Sequence, residues 1–428
     1  MFFVGPMRQH LNGHKELSEH GQVKTVTTPK LVYIPLFTGG KPATPCVNVG
    51  DHVYVGTKLG QKDVPFVVPV FSSVSGTVKA IEPHAHVGLK PVDHVVIEND
   101  GLYEEKAPLA PLSLDASDAE LVERMKEAAI VGCGGAGFPA YVKYNNPKDI
   151  TDLIINAVEC EPYLTADYNM LEHNMEQFVT GVSLMFRMSH AKVAHVCMKK
   201  THPEMIEKLT KAFANVKGVQ ITPVPDVYPM GWERVLIREV KHCEYTRLPA
   251  EVGCIVSNAT TAIAFGNAVT KGMPIYEKMI TVSGDAIDTP CNVLARVGTP
   301  FKDVIATAGN ITKENVHLCA GGPMMGRTQV SDQVCVLPET NGITILEAVK
   351  ANENACLRCG SCSDHCPAGL QPVRINTARK ANDMATLEKL QPMRCIECGL
   401  CTYVCPSKIA VTEGVRTAKR IMMMKGKK

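Results

Sequence analysis

The sequence has little that would place the protein in a membrane or outside the cell. No stretch approaches 18 apolar residues without a charge, so no segment is predicted to span a bilayer. The N-terminus, MFFVGPMRQHLNGHKEL, has no charged region followed by an apolar one, so no signal peptide is predicted. We expect a cytoplasmic protein, with a peripheral position at the inner face of the cell membrane as the alternative.

An excess of charge of either sign is also absent. The net charge of +2 over 428 residues gives no reason to expect nucleic acid as a partner. The composition, 45% hydrophobic and 21% charged, is that of an ordinary globular protein. The length allows two to four domains with cores of their own.

Cysteine is plentiful, with 17 residues. Eight lie in two tight groups near the C-terminus, and nine are scattered singly. In a long chain without an export signal, this division favours metal ligation in a reducing compartment over disulfides. The scattered thiols are predicted mostly to be small buried hydrophobes.

Both cysteine groups follow the pattern C-x2-C-x2-C-x3-C-P. In this pattern three thiolates surround one [4Fe–4S] cube and the fourth reaches the other cube. The alternative, a pair of zinc sites, usually uses two separated C-x2-C units, which does not fit runs that end in Cys-Pro. The predicted ligands are Cys356, Cys359, Cys362 and Cys405 for the first cluster, and Cys395, Cys398, Cys401 and Cys366 for the second.

The pattern of predicted secondary structure changes three times along the rest of the chain. VGDHVYVGTKLG (49–60) and SSVSGTVKAI (72–81) look like the halves of a lipoyl-type flattened β-barrel. From about residue 119 to 265, helices alternate with apolar strands, which predicts a parallel sheet covered on both faces. Short strands over 275–335 suggest a small β-grasp unit, and helices surround the cysteine groups.

Residues 130–139, IVGCGGAGFP, form a glycine-rich loop. Without a Cβ in the way, its backbone N–H groups can approach a phosphate or a flat ring. The loop matches neither a Walker A nor a G-x-G-x-x-G motif, so a plain turn is the alternative. Glu159 and Glu161 alternate at a following strand end, where ligands of open α/β sheets bind.

Five segments in order carry a family resemblance. They are GCGGAGFPAYVKY (132–144), NAVECEPYLTADYNML (156–171), YPMGWERVLI (228–237), TVSGDAIDTPCNVLARVGTP (281–300) and CAGGPMMG (319–326). With the two cysteine groups, they resemble the RnfC family of the Rnf electron-transport complex. More distantly, they resemble the flavin-bearing 51 kDa subunit of complex I.

The resemblance implies an α/β multidomain fold with two [4Fe–4S] clusters, non-covalent FMN and oxidation of NADH. Its domains would be an N-terminal barrel-sandwich module (1–115), a Rossmann-like FMN/NADH domain (116–265), an SLBB β-grasp domain (266–340) and a helical ferredoxin domain (341–428).

The resemblance also implies roles for single residues. Gly134, Gly135, Gly137, Phe138 and Lys143 would form the flavin loop. Asn156, Glu159 and Glu161 would contact FMN or NADH, and Glu233 would lie at the nicotinamide. Asn258 and Thr260 would lie at the flavin phosphate.

Three departures from the family bear on the partner. GPMRQHLNGHKEL replaces the usual Gly-Gly-x-His-Pro-Pro start, Cys133 stands where an apolar residue is usual, and Trp232 where a small one is common. They suggest a soluble relative, such as the electron-transfer protein associated with D-proline reductase, and a cobalamin-reductase relative is a third possibility. Cys133 is predicted beside the flavin, either as a reactive thiol or as a packing substitute.

The sequence thus predicts an enzyme that passes electrons from NADH through FMN and two clusters to a redox protein, either Rnf subunits or a soluble reductase. The alternative is a relay without flavin that carries electrons between proteins. A protein that is inert outside a membrane complex is a third hypothesis.

Overall fold

The structure, a computed structural model, describes residues 8–26, 29–106, 109–135 and 137–425. It comprises a β module, a parallel α/β domain, a mixed β domain and a helical C-terminal domain. This architecture agrees with the predicted α/β multidomain fold class. In the described ranges no helix is long and apolar enough to cross a membrane.

The N-terminal segment (residues 8–26), predicted to belong to the N-terminal module, contributes no strand to the sheets of that module and instead contacts other domains. Gln9 pairs with Tyr228 of the α/β domain. Strand β1 (Lys24–Thr25) runs parallel to Val293 and Leu294 of the mixed β domain. The segment therefore ties the second and third domains together. The beginning of the chain, residues 1–7, lies outside the described residues.

The β module packs two small sheets around buried Val and Ile side chains. Gly76 lies where two strands approach most closely, since a Cβ there would be 2.0 Å from the carbonyl oxygen of Glu98. The strands are β2 (Leu31–Pro35), β3 (Phe37–Thr38), β4 (Lys41–Pro42), β5 (Thr44–Pro45), β6 (His52–Val53), β7 (Lys58–Lys62), β8 (Val68–Phe71), β9 (Gly76–His84) and β10 (Val92–Asn99). They form the sheets β2–β10–β9–β6 and β5–β7–β8, with β3 and β4 as a separate pair.

The α/β domain begins as predicted, because Ser117 and Glu120 form a capping box at the start of its first helix. Its elements are α1 (Asp118–Glu127), α2 (Tyr141–Tyr144), β11 (Asp152–Asn156), α3 (Ala166–His173), α4 (Met175–Ser189), β12 (Val193–Lys199), α5 (Pro203–Ala212), β13 (Val219–Val224), α6 (Glu233–Lys241), β14 (Cys254–Asn258) and α7 (Ala259–Thr270). Short 3₁₀ turns cover Lys15–Leu17, Pro249–Val252 and Pro392–Arg394.

The four strands of this domain are parallel, in the order β13–β12–β11–β14. Both faces of the sheet are covered, as predicted. Leu153 and Ile155 point into one core and Ile154 into the other, and all three are fully buried. Helices α4 and α7 touch at Gly181, where a Cβ would be 1.9 Å from the carbonyl oxygen of Ala262.

The mixed β domain extends beyond its predicted end at residue 340. Its elements are β15 (Glu277–Ser283), β16 (Cys291–Arg296), α8 (Phe301–Ala308), β17 (Val316–Ala320), β18 (Arg327–Gln329) and β19 (Gly342–Glu347). Strand β19 lies in the middle of the sheet β1–β16–β15–β19–β17–β18, so the boundary falls after residue 347. Helix α7 likewise continues past the predicted boundary at 265.

The C-terminal domain packs short helices around Ile375, Leu387 and Val415. At Gly414 a Cβ would lie 2.1 Å from the Oδ1 atom of Asn376, so the residue allows the two longest helices to cross closely. The helices are α9 (Ser361–Asp364), α10 (Pro372–Lys380), α11 (Met384–Leu390), α12 (Leu400–Tyr403) and α13 (Val411–Lys425).

Candidate functional site

The glycine-rich loop is closed at its base by backbone hydrogen bonds, and its tip is exposed to solvent. Gly132 donates to the carbonyl oxygen of Phe138 at 2.8 Å, and Gly137 donates to that of Gly132 at 3.1 Å. Gly135 and Gly137 adopt φ angles of +101° and +58°, which favour glycine. Gly134 and Gly135 are exposed, whereas Ala136 lies outside the described residues. The loop therefore presents backbone rather than side chains to a ligand.

The loop lies beside the first turn of α7, whose N-terminal end favours anions. A Cβ at Gly134 would be 3.4 Å from the side-chain nitrogen of Asn258. Asn258 caps the helix by accepting from the amide of Thr261 at 3.3 Å. The loop and the helix end together offer donors of the kind that a flavin phosphate requires.

Asp167 organises this corner, although reasoning from the sequence did not select it. Its carboxylate accepts from Asn258 Nδ2 and from Thr260 Oγ1, each at 2.7 Å. The side chains of Asn258 and Thr260 are thus oriented by one carboxylate. The only signal in the sequence was the position of Asp167 within the segment NAVECEPYLTADYNML.

Glu159 and Glu161, which were predicted to contact FMN or NADH, bond to backbone amides in this structure. Glu159 accepts from the amides of Asp167 and Tyr168 in the first turn of α3, at 3.1 and 3.3 Å. Glu161 accepts from the amides of Met324 and Met325, at 2.6 and 2.9 Å. Burial raises the pKa of both carboxyl groups. Both carboxylates hold backbone segments in place.

Lys143 and Asn156 also bond to neighbouring backbone. Lys143 donates to the carbonyl oxygen of Val256 at 2.7 Å, and burial lowers the pKa of its amine. Asn156 donates to the carbonyl oxygen of Gly231 at 2.7 Å, which ties the end of β11 to the YPMG turn. These residues shape the crevice at the carboxyl ends of the strands.

Glu233 follows the YPMG turn and is the first residue of α6. It is partly exposed. Its Oε1 atom accepts from the Tyr245 hydroxyl at 2.7 Å. Glu159 and Glu161 each accept from two backbone amides, and Glu161 also interacts with the Tyr228 hydroxyl. Glu233 instead bonds to the Tyr245 hydroxyl and keeps part of its surface exposed.

Cys133 lies inside the loop, but its thiol is fully buried. The Sγ atom is 3.5 Å from the carbonyl oxygen of Val131, and the Cys133 amide donates to Thr261 Oγ1 at 2.9 Å. Burial raises the pKa of the thiol. The hypothesis of an accessible, activated thiol is therefore wrong, and the packing alternative describes this residue.

The four cysteines predicted for the second cluster line one small cavity. We call them the inner set; Cys366 of the first motif thus lies with three cysteines of the second motif. Such a group of four thiols around a cavity suits a [4Fe–4S] cube, as expected for crossed motifs. The inner set comprises Cys366, Cys395, Cys398 and Cys401.

The four cysteines predicted for the first cluster, the outer set, lie nearer the surface. Cys356 and Cys359 are exposed, Cys405 is half-buried and Cys362 is buried. Every residue from 351 to 360 is exposed. The outer set is Cys356, Cys359, Cys362 and Cys405, and one side of it faces solvent.

The inner set is in direct contact with the α/β domain. The Tyr228 hydroxyl donates to the carbonyl oxygen of Cys398 at 2.7 Å. Cys398 and Leu400 share an apolar cluster with Tyr228 and Met230. A Cβ at Gly399 would lie 2.8 Å from the carbonyl oxygen of Met324, whose amide binds Glu161. The site loops of three domains therefore meet at the inner set.

Comparison with domain families defines the class of protein. Matches are found to the RnfC barrel sandwich hybrid domain over residues 8–102, the Nuo51 FMN-binding domain over 125–266, the SLBB domain over 279–328 and a 4Fe-4S dicluster domain over 355–409. The chain is thus a flavo-iron–sulfur protein of the electron-transfer class. At the level of domain families, the predicted FMN and two [4Fe–4S] clusters are confirmed.

The relatives name the family. The chain is 36% identical to the C subunit of the Na(+)-translocating ferredoxin:NAD(+) oxidoreductase complex of Acetobacterium woodii, over 94% of this chain and 93% of that one. It is 36% identical to the C subunit of the proton-translocating ferredoxin:NAD(+) oxidoreductase complex of Clostridium ljungdahlii, over 86% and 82%. The chain belongs to the RnfC family, as the sequence motifs predicted.

A solved structure shares the fold. The NAD+-reducing [NiFe]-hydrogenase in its H2-reduced state matches with a TM-score of 0.50 and 19% identity. The match covers 74% of this chain and 64% of that chain. At this identity the likeness concerns the fold alone.

Asp167→Asn should weaken FMN binding roughly tenfold or more, because two charge-assisted hydrogen bonds that orient Asn258 and Thr260 become neutral. The dissociation constant of FMN, followed by flavin fluorescence on flavin-depleted protein, measures the effect. Glu172→Gln, on the same helix but paired with Lys208 at the surface, is the matched control. Equal affinities for Asp167→Asn and wild type would contradict the role of Asp167.

Cys133 should resist alkylation in the native protein, because its thiol is buried and a raised pKa leaves little thiolate near neutral pH. Iodoacetamide treatment followed by peptide mapping measures the extent of modification. Cys46, which is exposed, serves as the positive control in the same sample. Labelling of Cys133 as fast as Cys46 would restore the hypothesis of an accessible thiol.

Proposed function

We propose that this chain oxidises NADH and delivers the electrons singly to a redox partner protein. When bound, FMN accepts the hydride, and the [4Fe–4S] clusters transfer one electron at a time. The chain's own residues hold these groups, set their spacing and choose the partner. Relatives named as ferredoxin:NAD(+) oxidoreductase subunits support the use of NAD(H).

The contact between Tyr228 and Cys398 is the observation that carries the proposal. It joins the turn before Glu233 to the loop of the inner set, with a 2.7 Å hydrogen bond and a shared apolar cluster. Electron transfer needs short and fixed distances, and a buried contact between domains provides them. A relay without flavin would have no need of the open glycine-rich loop at the start of α7.

Glu233 is proposed as the residue that meets the nicotinamide. Its carboxylate is partly exposed, and Tyr245 holds it from one side. Glu233 is close enough to Lys143 to oppose the effect of burial on the pKa of the Lys143 amine. The carboxyl oxygens of Glu233 can accept a hydrogen bond from a carboxamide such as that of nicotinamide.

The first test is an absorbance spectrum of protein purified without oxygen. We expect the purified protein to contain FMN and close to eight irons per chain, and its flavin bands to bleach when NADH is added. Iron–sulfur bands without flavin, and no response to NADH after reconstitution with FMN, would favour the flavin-free relay. Stoichiometric zinc in place of iron would contradict the cluster assignment.

Glu233→Gln should lower kcat/KM for NADH roughly tenfold or more, because a charge-assisted hydrogen bond becomes a neutral one. FMN content should stay at the wild-type level. Steady-state oxidation of NADH with an artificial acceptor measures the loss. Tyr245→Phe is the matched control, since it removes the 2.7 Å hydrogen bond but keeps the carboxylate. Loss of FMN with unchanged NADH kinetics would refute the assignment.

The partner is proposed to dock on the surface around the outer set. The segment 351–360 is exposed throughout, with Leu357 69% and the nearby Tyr403 55% exposed. Residues 341–428 contain twice as many Lys and Arg as Asp and Glu, which favours an acidic partner surface. The partner is either a membrane-bound Rnf subunit or a soluble reductase.

Leu357→Asp should reduce electron transfer to the protein partner at least tenfold, because it places a carboxylate in the centre of this surface. NADH oxidation with a small artificial acceptor should be unchanged. Leu89→Asp, at a position 57% exposed on the β module, is the matched control. If Leu357→Asp supports wild-type transfer to the partner, the docking surface lies elsewhere. Candidate partners for the assay are purified Rnf complex and a soluble reductase such as D-proline reductase.

A further inference from the structure

A pair of threonine hydroxyls lies against the inner set. Thr412 Oγ1 is 3.3 Å from Cys401 Sγ, and Thr412 is 6% exposed. Thr402 Oγ1 donates to Thr412 Oγ1 at 2.8 Å. Thr402 Oγ1 also accepts from the amide of Thr412 at 2.9 Å. The two side chains and the first turn of α13 form one connected group.

The number of hydroxyl protons determines which atom donates in the contact between Thr412 Oγ1 and Cys401 Sγ. Each hydroxyl has one proton to donate. Thr402 uses its proton on Thr412 Oγ1, so the proton of Thr412 remains for another acceptor. Cys401 Sγ is the acceptor within reach, and as a cluster ligand it is a thiolate. Thr412 is therefore the donor to this sulfur.

We propose that the Thr402–Thr412 pair donates a hydrogen bond to the Cys401 thiolate and thereby raises the reduction potential of the [4Fe–4S] cluster held by the inner set. This inference rests on the proposed function, which assigns a cluster to these four cysteines. On reduction the cluster gains one electron, and the hydroxyl proton stays on Thr412. The bond strengthens as negative charge on the sulfur grows, so it stabilises the reduced state.

The surroundings explain why a side-chain donor matters at this position. The other three sulfurs of the inner set interact with backbone amides: Cys366 Sγ accepts from Leu370 and Cys395 Sγ from Glu397, each at 3.3 Å, and Cys398 interacts with the amide of Leu400. Burial opposes the extra negative charge that reduction adds. A buried hydroxyl offsets part of this cost without adding a charge.

The outer set has a weaker counterpart. Ser361 Oγ lies 3.4 Å from Cys359 Sγ, but this contact is exposed. Water competes for an exposed thiolate, so the hydroxyl changes its environment less. The Thr402–Thr412 pair therefore makes the reduction potentials of the two clusters differ. It raises the potential of the cluster at the inner set, which contacts the α/β domain.

A structural role alone is the competing explanation. Thr402 Oγ1 accepts from the amide of Thr412, and amides in the first turn of a helix have no acceptor within that helix. Such a cap would affect stability and leave the potential unchanged. Measuring the potential therefore distinguishes the two roles.

The test is an EPR-monitored redox titration of the full-length holoprotein, with dithionite and mediators, so that it does not depend on FMN or NADH. Thr412→Val should lower one of two midpoints by about 59 mV, a roughly tenfold change in a one-electron equilibrium, and leave the other unchanged. Thr412→Ser should restore the wild-type value. Thr402→Val should lower the same midpoint by less. Thr417→Val, whose hydroxyl bonds the backbone of the same helix, is the control.

Two unchanged midpoints in Thr412→Val, with full iron content, would overturn the inference. If Thr412→Val fails to assemble its clusters, Thr402→Val decides, and an unchanged midpoint there overturns it equally. A protein that titrates as expected but never oxidises NADH would contradict the proposed function and leave this inference standing. A protein without two [4Fe–4S] clusters would contradict both.

Discussion

The rest of the structure depends on the ammonium group of Lys15, which joins the N-terminal segment to the α/β domain. Lys15, from the N-terminal segment, donates to the carbonyl oxygens of Glu159 and Glu161 at 2.9 and 2.8 Å and also to that of Leu164. Burial lowers the pKa of its amine, and the carboxylate of Glu159 acts against this effect. Without Lys15, these three partly buried carbonyl oxygens would lose the donor that they share. The turn that carries both glutamates depends on this interaction.

The turn that carries Glu159 and Glu161 positions residues on both sides of the site. Glu159 holds the start of α3, which carries Asp167 under Asn258 and Thr260. Glu161 holds the loop at Met324, which packs on Gly399 beside the inner set. Carboxylates that first suggest ligand binding thus serve mainly as acceptors for backbone amides. This use suits a protein whose cofactors supply the chemistry and whose residues fix their positions.

The cysteines show how the surroundings assign different roles to one side chain. Cys356 and Cys359 are exposed to solvent, whereas Cys398 lies in an apolar cluster with Tyr228. Cys133 and Cys197 are fully buried and behave as small hydrophobes. Spacing in the sequence distinguishes ligands from the rest. The difference between an outer and an inner set depends on which face of the ferredoxin domain meets the α/β domain.

The sequence by itself determined the features that rest on local pattern. The cysteine spacing and the alternation of helices with parallel strands both followed from residues close together in the chain. Tertiary structure alone decided the direction of the two glutamates, the burial of Cys133 and the part played by Asp167. It also decided that the N-terminal segment contributes no strand to the β module and that β19 joins the sheet before it. The physical reason is that these features depend on partners distant in the chain, such as Asn258, which lies 91 residues from Asp167 and bonds it at 2.7 Å. No local periodicity encodes such a contact.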